Sequence, residues 1–103
     1  MKFYIASTTD KNKGGIYLAD LDILSGELSL LSKIDNKEFI SFITIDSECK
    51  YLYAVSESTN EIYSYLIDQD DKSISLVDSK SVHGLIPCYI SLTPNNRLLF
   101  IAN

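Results

Sequence analysis

The chain has 103 residues, with 14 acidic side chains against 9 basic ones and a formal net charge of −5. That length holds one compact domain at most, and 46% hydrophobic with 22% charged residues is globular rather than disordered composition. The acidic balance, with a single arginine, argues against nucleic acid and anionic membrane surfaces as partners, and no run approaches the ~20 apolar residues of a membrane span.

In chain order the sequence predicts nine β-strands, at about 2–7, 15–22, 27–34, 40–46, 50–56, 61–68, 73–80, 88–93 and 97–103. Each is a short run rich in Ile, Val, Leu, Tyr and Phe, bounded by turn chemistry. The first run, Phe3-Tyr4-Ile5-Ala6, turns polar too soon to be a secretory core. Together with only two cysteines, Cys49 and Cys88, in no metal or redox spacing, this predicts free thiols and a cytoplasmic location. Asp22-Ile23-Leu24-Ser25-Gly26, Asp68-Gln69-Asp70-Asp71-Lys72 and Thr93-Pro94-Asn95-Asn96 read as turns. No segment holds a 3.6-residue period over eleven positions, so the class is all-β.

These runs repeat. Lys50-Tyr51-Leu52-Tyr53-Ala54-Val55-Ser56 returns 47 residues later as Arg97-Leu98-Leu99-Phe100-Ile101-Ala102-Asn103. Phe3 to Ser7 is a third copy, 49 residues ahead of Leu52 to Ser56. Ser41-Phe42-Ile43-Thr44-Ile45 matches Cys88-Tyr89-Ile90-Ser91-Leu92 at 47, and Leu28 to Leu31 matches Ile74 to Val77 at 46. A period near 47 with four strands per repeat is that of propeller blades. Labelling strands a to d outward from the axis, the chain reads bcd, abcd, ab. It is expected to be a partial propeller: a partial blade at about 1–36, a complete blade at 37–81 and a partial blade at 82–103. Tyr51 to Val55 and Leu98 to Ala102, almost wholly apolar, are expected to be covered on both faces.

At this point the sequence resembles the seven-bladed lactonase propellers, the group of 6-phosphogluconolactonases and carboxy-cis,cis-muconate cyclases. The matching residues are Phe3-Tyr4-Ile5-Ala6, Gly15-Ile16-Tyr17 through Asp22, and Ser25-Gly26-Glu27-Leu28-Ser29-Leu30-Leu31-Ser32. They continue with Tyr51 to Val55 ahead of Glu57, then Gly84, Pro87-Cys88, Pro94 and Arg97 to Asn103. Two departures stand out. The family usually places His after Pro-Cys, where this chain has Tyr89, and the family is far longer. The resemblance therefore implies an N-terminal fragment whose usual catalytic residues lie in absent blades.

Strand parity puts the d-to-a and b-to-c connections on one face of such a fold, the face that commonly carries a ligand site. Residues 7–14, 35–38, 56–60, 81–87 and Asn103 fall there; the short turns near Ser25, Glu48, Asp71 and Asn95 fall on the other. His83, the only histidine, is of a residue type whose ordinary pKa suits general-base attack on a lactone carbonyl, but with no certain partner the plainer reading is a solvated loop residue. Glu57 stands at the family's Glu position, as a binder of substrate hydroxyls or a plain surface carboxylate. Tyr89 opens an innermost strand and either faces the channel or packs. Asn103 completes the substrate-binding candidates, and no catalytic role is assigned to any of them. For a phosphosugar, Lys11, Lys13 and Lys37 are the cations on that face, though a lysine in a polar loop is commonly just solvated.

No cofactor and no metal site are expected. Gly14-Gly15 lacks the Gly-Lys-Ser/Thr ending of a phosphate loop. Asp68-x-Asp70 lacks the glycine and closing glutamate of a calcium loop, and no Gly-x-Ser-x-Gly elbow is present. Three functional readings stand. The first is a fragment of a lactonase-like hydrolase for 6-phosphogluconolactone-type sugar lactones, inactive alone. The second is a non-catalytic propeller scaffold or binding module, favoured by Tyr89 in place of His. The third is a self-contained small β domain. Under either propeller reading, uncovered blade faces predict self-association.

Overall fold

A computed structural model describes residues 1–10 and 12–103; Lys11 lies outside the described residues. Among these residues the structure is all strand and turn, with nine strands in three separate antiparallel sheets. The first sheet contains β1 (Lys2–Ser7), β2 (Gly15–Leu21) and β3 (Leu28–Asp35). The second contains β4 (Ile40–Ile45), β5 (Tyr51–Ser56), β6 (Glu61–Ile67) and β7 (Ile74–Ser81). β8 (Tyr89–Leu92) and β9 (Leu99–Ala102) form the third. Within each sheet spatial order follows chain order, and β1 and β8 pack on either side of β4. This is the partial propeller of three, four and two strands that the repeat predicts.

The repeat is preserved in turn geometry as well as in sequence. Asp22 and Asp68, 46 residues apart, each accept two turn amides on Oδ1, from Leu24 and Ser25 in one case and Asp70 and Asp71 in the other. Each turn ends in a left-handed residue, Gly26 (φ 78°) and Lys72 (φ 64°). The a-to-b turns correspond at 47 residues. Asp46 Oδ1 accepts the Lys50 and Tyr51 amides at 2.7 and 3.0 Å, and Thr93 Oγ1 accepts the Leu98 amide at 3.1 Å. The Thr93 amide donates to the Leu98 carbonyl as the Asp46 amide does to Tyr51, and β9 starts at Leu99, two residues later than the sequence predicts.

The core lies between the first and second sheets. Ile16, Ile40, Leu52, Ala54, Tyr63, Tyr65 and Ile67 form it, with Tyr4, Ala6, Ile34, Ile43 and Ile74 packed around them. β5 is buried at Leu52, Ala54, Val55 and Ser56, as a strand covered on both sides must be. β9 is equally apolar, yet Phe100 on it and Leu98 just before it are each 60% exposed. Sequence predicts cover on both faces there; only one face meets a sheet.

Candidate functional site

The loops segregate by face. On the upper face, the Phe39 amide donates to the Thr9 carbonyl at 2.7 Å and the Glu57 amide to the Phe39 carbonyl at 3.0 Å. Ser56 Oγ donates to the Glu38 carbonyl at 2.9 Å. The connections at 7–14, 35–38 and 56–60 thus form one bonded layer. The 81–87 connection joins through Asn60. Its carbonyl accepts the Val82 amide at 3.0 Å and its side-chain Oδ1 accepts the Ile86 amide at 2.8 Å. On the lower face, Ser47 and Asn96 exchange two hydrogen bonds across the second and third sheets, at 3.1 and 2.7 Å.

Each predicted residue has a definite place. Glu57 is half-buried just beyond β5, its backbone tied to Phe39. His83 is exposed in the left-handed region (φ 54°), its amide donating to Ser81 Oγ at 3.0 Å. Gly84 follows, and a Cβ there would collide with the Asn103 carboxamide, so the 81–87 loop and Asn103 lie against each other. Tyr89 packs its ring on Phe42, centroids 4.7 Å apart, and remains half exposed. The fold brings His83–Gly84 beside Asn103 and sets Tyr89 on the innermost pair of strands.

The phosphate candidates are less well placed. Lys37 Nζ lies 5.4 Å from the Tyr63 ring centroid, on β6, two strands outward from β4. Tyr63 in turn bonds Thr59 Oγ1 at 2.8 Å and Glu61 at 3.0 Å, and burial raises its phenol pKa. Lys13 is exposed, with its carbonyl accepting the Tyr17 hydroxyl at 2.7 Å. Lys11 lies outside the described residues. Among the described residues no three His, Cys, Asp or Glu side chains gather as a metal site, and no helix is long and apolar enough to cross a membrane.

Sequence reasoning missed Asn60, which ties the 81–87 loop to the turn carrying Glu57. An asparagine that tolerates left-handed φ (55° here) and offers a side-chain acceptor just before a strand is the signal that could have found it. It also missed Tyr65, whose hydroxyl is buried with no hydrogen-bond partner among the described residues. Burial, then the field of the Asp35 carboxylate, pushes that phenol far above its usual pKa.

Comparison with known proteins follows the same lines. The family model described as lactonase, 7-bladed β-propeller, matches residues 2–103. A 6-phosphogluconolactonase of Formosa agariphila is 31% identical over 97% of this chain and 30% of its own length. The 6-phosphogluconolactonase of Bacillus subtilis is 23% identical over 97% and 29%. A solved structure of a provisionally assigned 6-phosphogluconolactonase from Bacteroides uniformis superposes with a TM-score of 0.86 at 26% identity, covering 99% of this chain and 30% of that one. The chain therefore spans about three tenths of the length of the curated relatives it matches.

Proposed function

The chain belongs to the seven-bladed β-propeller lactonases, and from that premise we propose that it is part of a hydrolase for sugar lactones of the 6-phosphogluconolactone type, inactive without further blades. Its units are a partial blade at 1–36, a whole blade at 37–81 and a partial blade at 82–103. The observation that supports the reading is the family match along residues 2–103; within it, Glu57, His83, Tyr89 and Asn103 are the proposed substrate-site residues. Chemically, a base removes a proton from water as it attacks the ring ester carbonyl, fixed donors hold the resulting oxyanion, and the ring C–O bond then breaks. Glu57 and Asn103 suit sugar hydroxyls, as acceptor and as mixed donor–acceptor. A cytoplasmic location belongs to the same proposal, supported by two exposed cysteines that are not bridged.

A scaffold function is the second reading, favoured by Tyr89 where the family usually has His. The two separate in a chimaera in which residues 2–103 replace the matching segment of the Formosa agariphila relative. Acid release from 6-phosphogluconolactone, followed by pH-stat, is expected to persist in the chimaera and to be absent for the 103-residue chain. A folded but inactive chimaera would support the scaffold, and recovery with Tyr89→His would place the lost chemistry at that position.

A further inference from the structure

Where β4 and β8 run side by side they enclose a groove of about 470 Å³, within the ~300–1,000 Å³ of small-molecule sites. Among the described residues β4 pairs with β5 alone and β8 with β9 alone, so each has a free inner edge with unpaired main-chain groups. No residue lining the groove carries a charge, in a chain of which 22% is charged. Its lower end is closed by Ser47 and Asn96, whose two mutual hydrogen bonds cross it. Phe42 and Tyr89 stand at the other end, toward the loops of the candidate site.

The two walls repeat one pattern. Phe42 and Thr44 share a face of β4, and Tyr89 and Ser91 share a face of β8, an aromatic ring above a hydroxyl in each. Two residues along a strand set ring and hydroxyl about 7 Å apart. The Thr44 and Ser91 hydroxyls make no hydrogen bond among the described residues. The Tyr89 ring rests on Phe42 with 52° between the planes and remains 49% exposed. Phe42 has its neighbouring sheet in place and still lines the groove. Access at this repeat position therefore does not depend on an uncovered outer sheet.

We propose that this groove is a subsite for an uncharged, hydroxylated six-membered ring, and that Tyr89 selects it by stacking on the ring's C–H face. An aromatic side chain offers a flat apolar surface, while the Thr44 and Ser91 hydroxyls and the strand edges offer donors and acceptors to the ring's rim. The wall holds no cation for a phosphate and no carboxylate for an amine. Tyr89, where the family usually has His, thus becomes a specificity residue. The proposal rests on the lactonase reading for its choice of a cyclic sugar derivative. Binding is measured without hydrolysis, so an inactive chimaera fails that reading alone and an unbound ring fails this one alone.

The probe is δ-gluconolactam, a ring amide that resists hydrolysis, added to the full 103-residue chain and followed by saturation-transfer difference NMR. Saturation is expected on the ring protons of one face, and open-chain glucitol, which has no such face, should stay unbound. Tyr89→Phe should bind as the parent does, whereas Tyr89→Leu, apolar but without a ring, should bind about fivefold more weakly. If Tyr89→Leu loses the parent circular dichroism, Ser91→Ala carries the test, with an expected loss of about threefold. No binding of the lactam, equal saturation of both faces, or full affinity in the folded variant overturns the proposal. Tighter binding of the lactam's 6-phosphate overturns it too, because no group in the wall could meet the added charge.

Discussion

At the scale of single residues, a few side chains carry stability that the apolar pattern does not reveal. Asn60 holds the 81–87 loop with its backbone carbonyl and its Oδ1 while adopting left-handed φ. Asn60→Ala loses the acceptor and adds backbone strain, and is expected to cost about 1–3 kcal/mol in urea unfolding. Asn60→Asp, which keeps the oxygen, should cost far less, and faster exchange of the Ile86 amide is the local readout. The Tyr65 hydroxyl is buried without a hydrogen-bond partner among the described residues, so Tyr65→Phe is expected to be neutral or to stabilise by about 1 kcal/mol. Burial raises the phenol pKa of Tyr4, Tyr53, Tyr63 and Tyr65. The folded state therefore holds these protons more tightly than the unfolded state. Their contribution is complete below the unfolded phenol value of about 10 and is lost as pH rises toward the folded values. Tyrosinate absorbance and loss of the β-sheet circular dichroism should accordingly rise together above that pH.

At the scale of strands and turns, most of the architecture was legible in the residues. Short runs rich in β-branched, aliphatic and aromatic residues between turn residues marked the strands, and their recurrence near 47 residues marked the sheets. The turns were recognised by residue type, but their conformations were not. Left-handed φ at Phe39, Cys49, Lys72 and Ile86 falls on residue types that do not favour it; sheet geometry and cross-loop hydrogen bonds impose it. The repeat supplies its own test of this strain. Gly26 occupies in the first sheet the turn position held by Lys72 in the second. Lys72→Gly leaves intact the backbone carbonyl that accepts the Tyr4 hydroxyl, so it should raise stability by about 1 kcal/mol in urea unfolding. The candidate site was legible only as a set of loops. The contact of Gly84 with Asn103 and the draw of the Tyr63 ring on Lys37 arise between segments distant in sequence, and no local pattern encodes them.

At the scale of the whole molecule, the question is what covers the outer sheets. Phe100 on β9 and Leu98 just before it are each 60% exposed, and burying such apolar surface is worth roughly 25 cal/mol per Å². The 103-residue chain is expected to associate with rising concentration in light-scattering chromatography, and the double variant L98K/F100K to remain monomeric longer. A concentration-independent monomer in the unsubstituted chain would favour a self-contained domain. One topological feature reaches beyond stability. Among the described residues every hydrogen-bonded strand pair joins neighbours in sequence, and no ladder joins strands from opposite ends of the chain. Loop closure is therefore cheap at each step, and contact order within a sheet is low for an all-β protein. On the ribosome, each sheet can zip into place as soon as its last strand leaves the exit tunnel, and it then serves as the template on which the next one condenses.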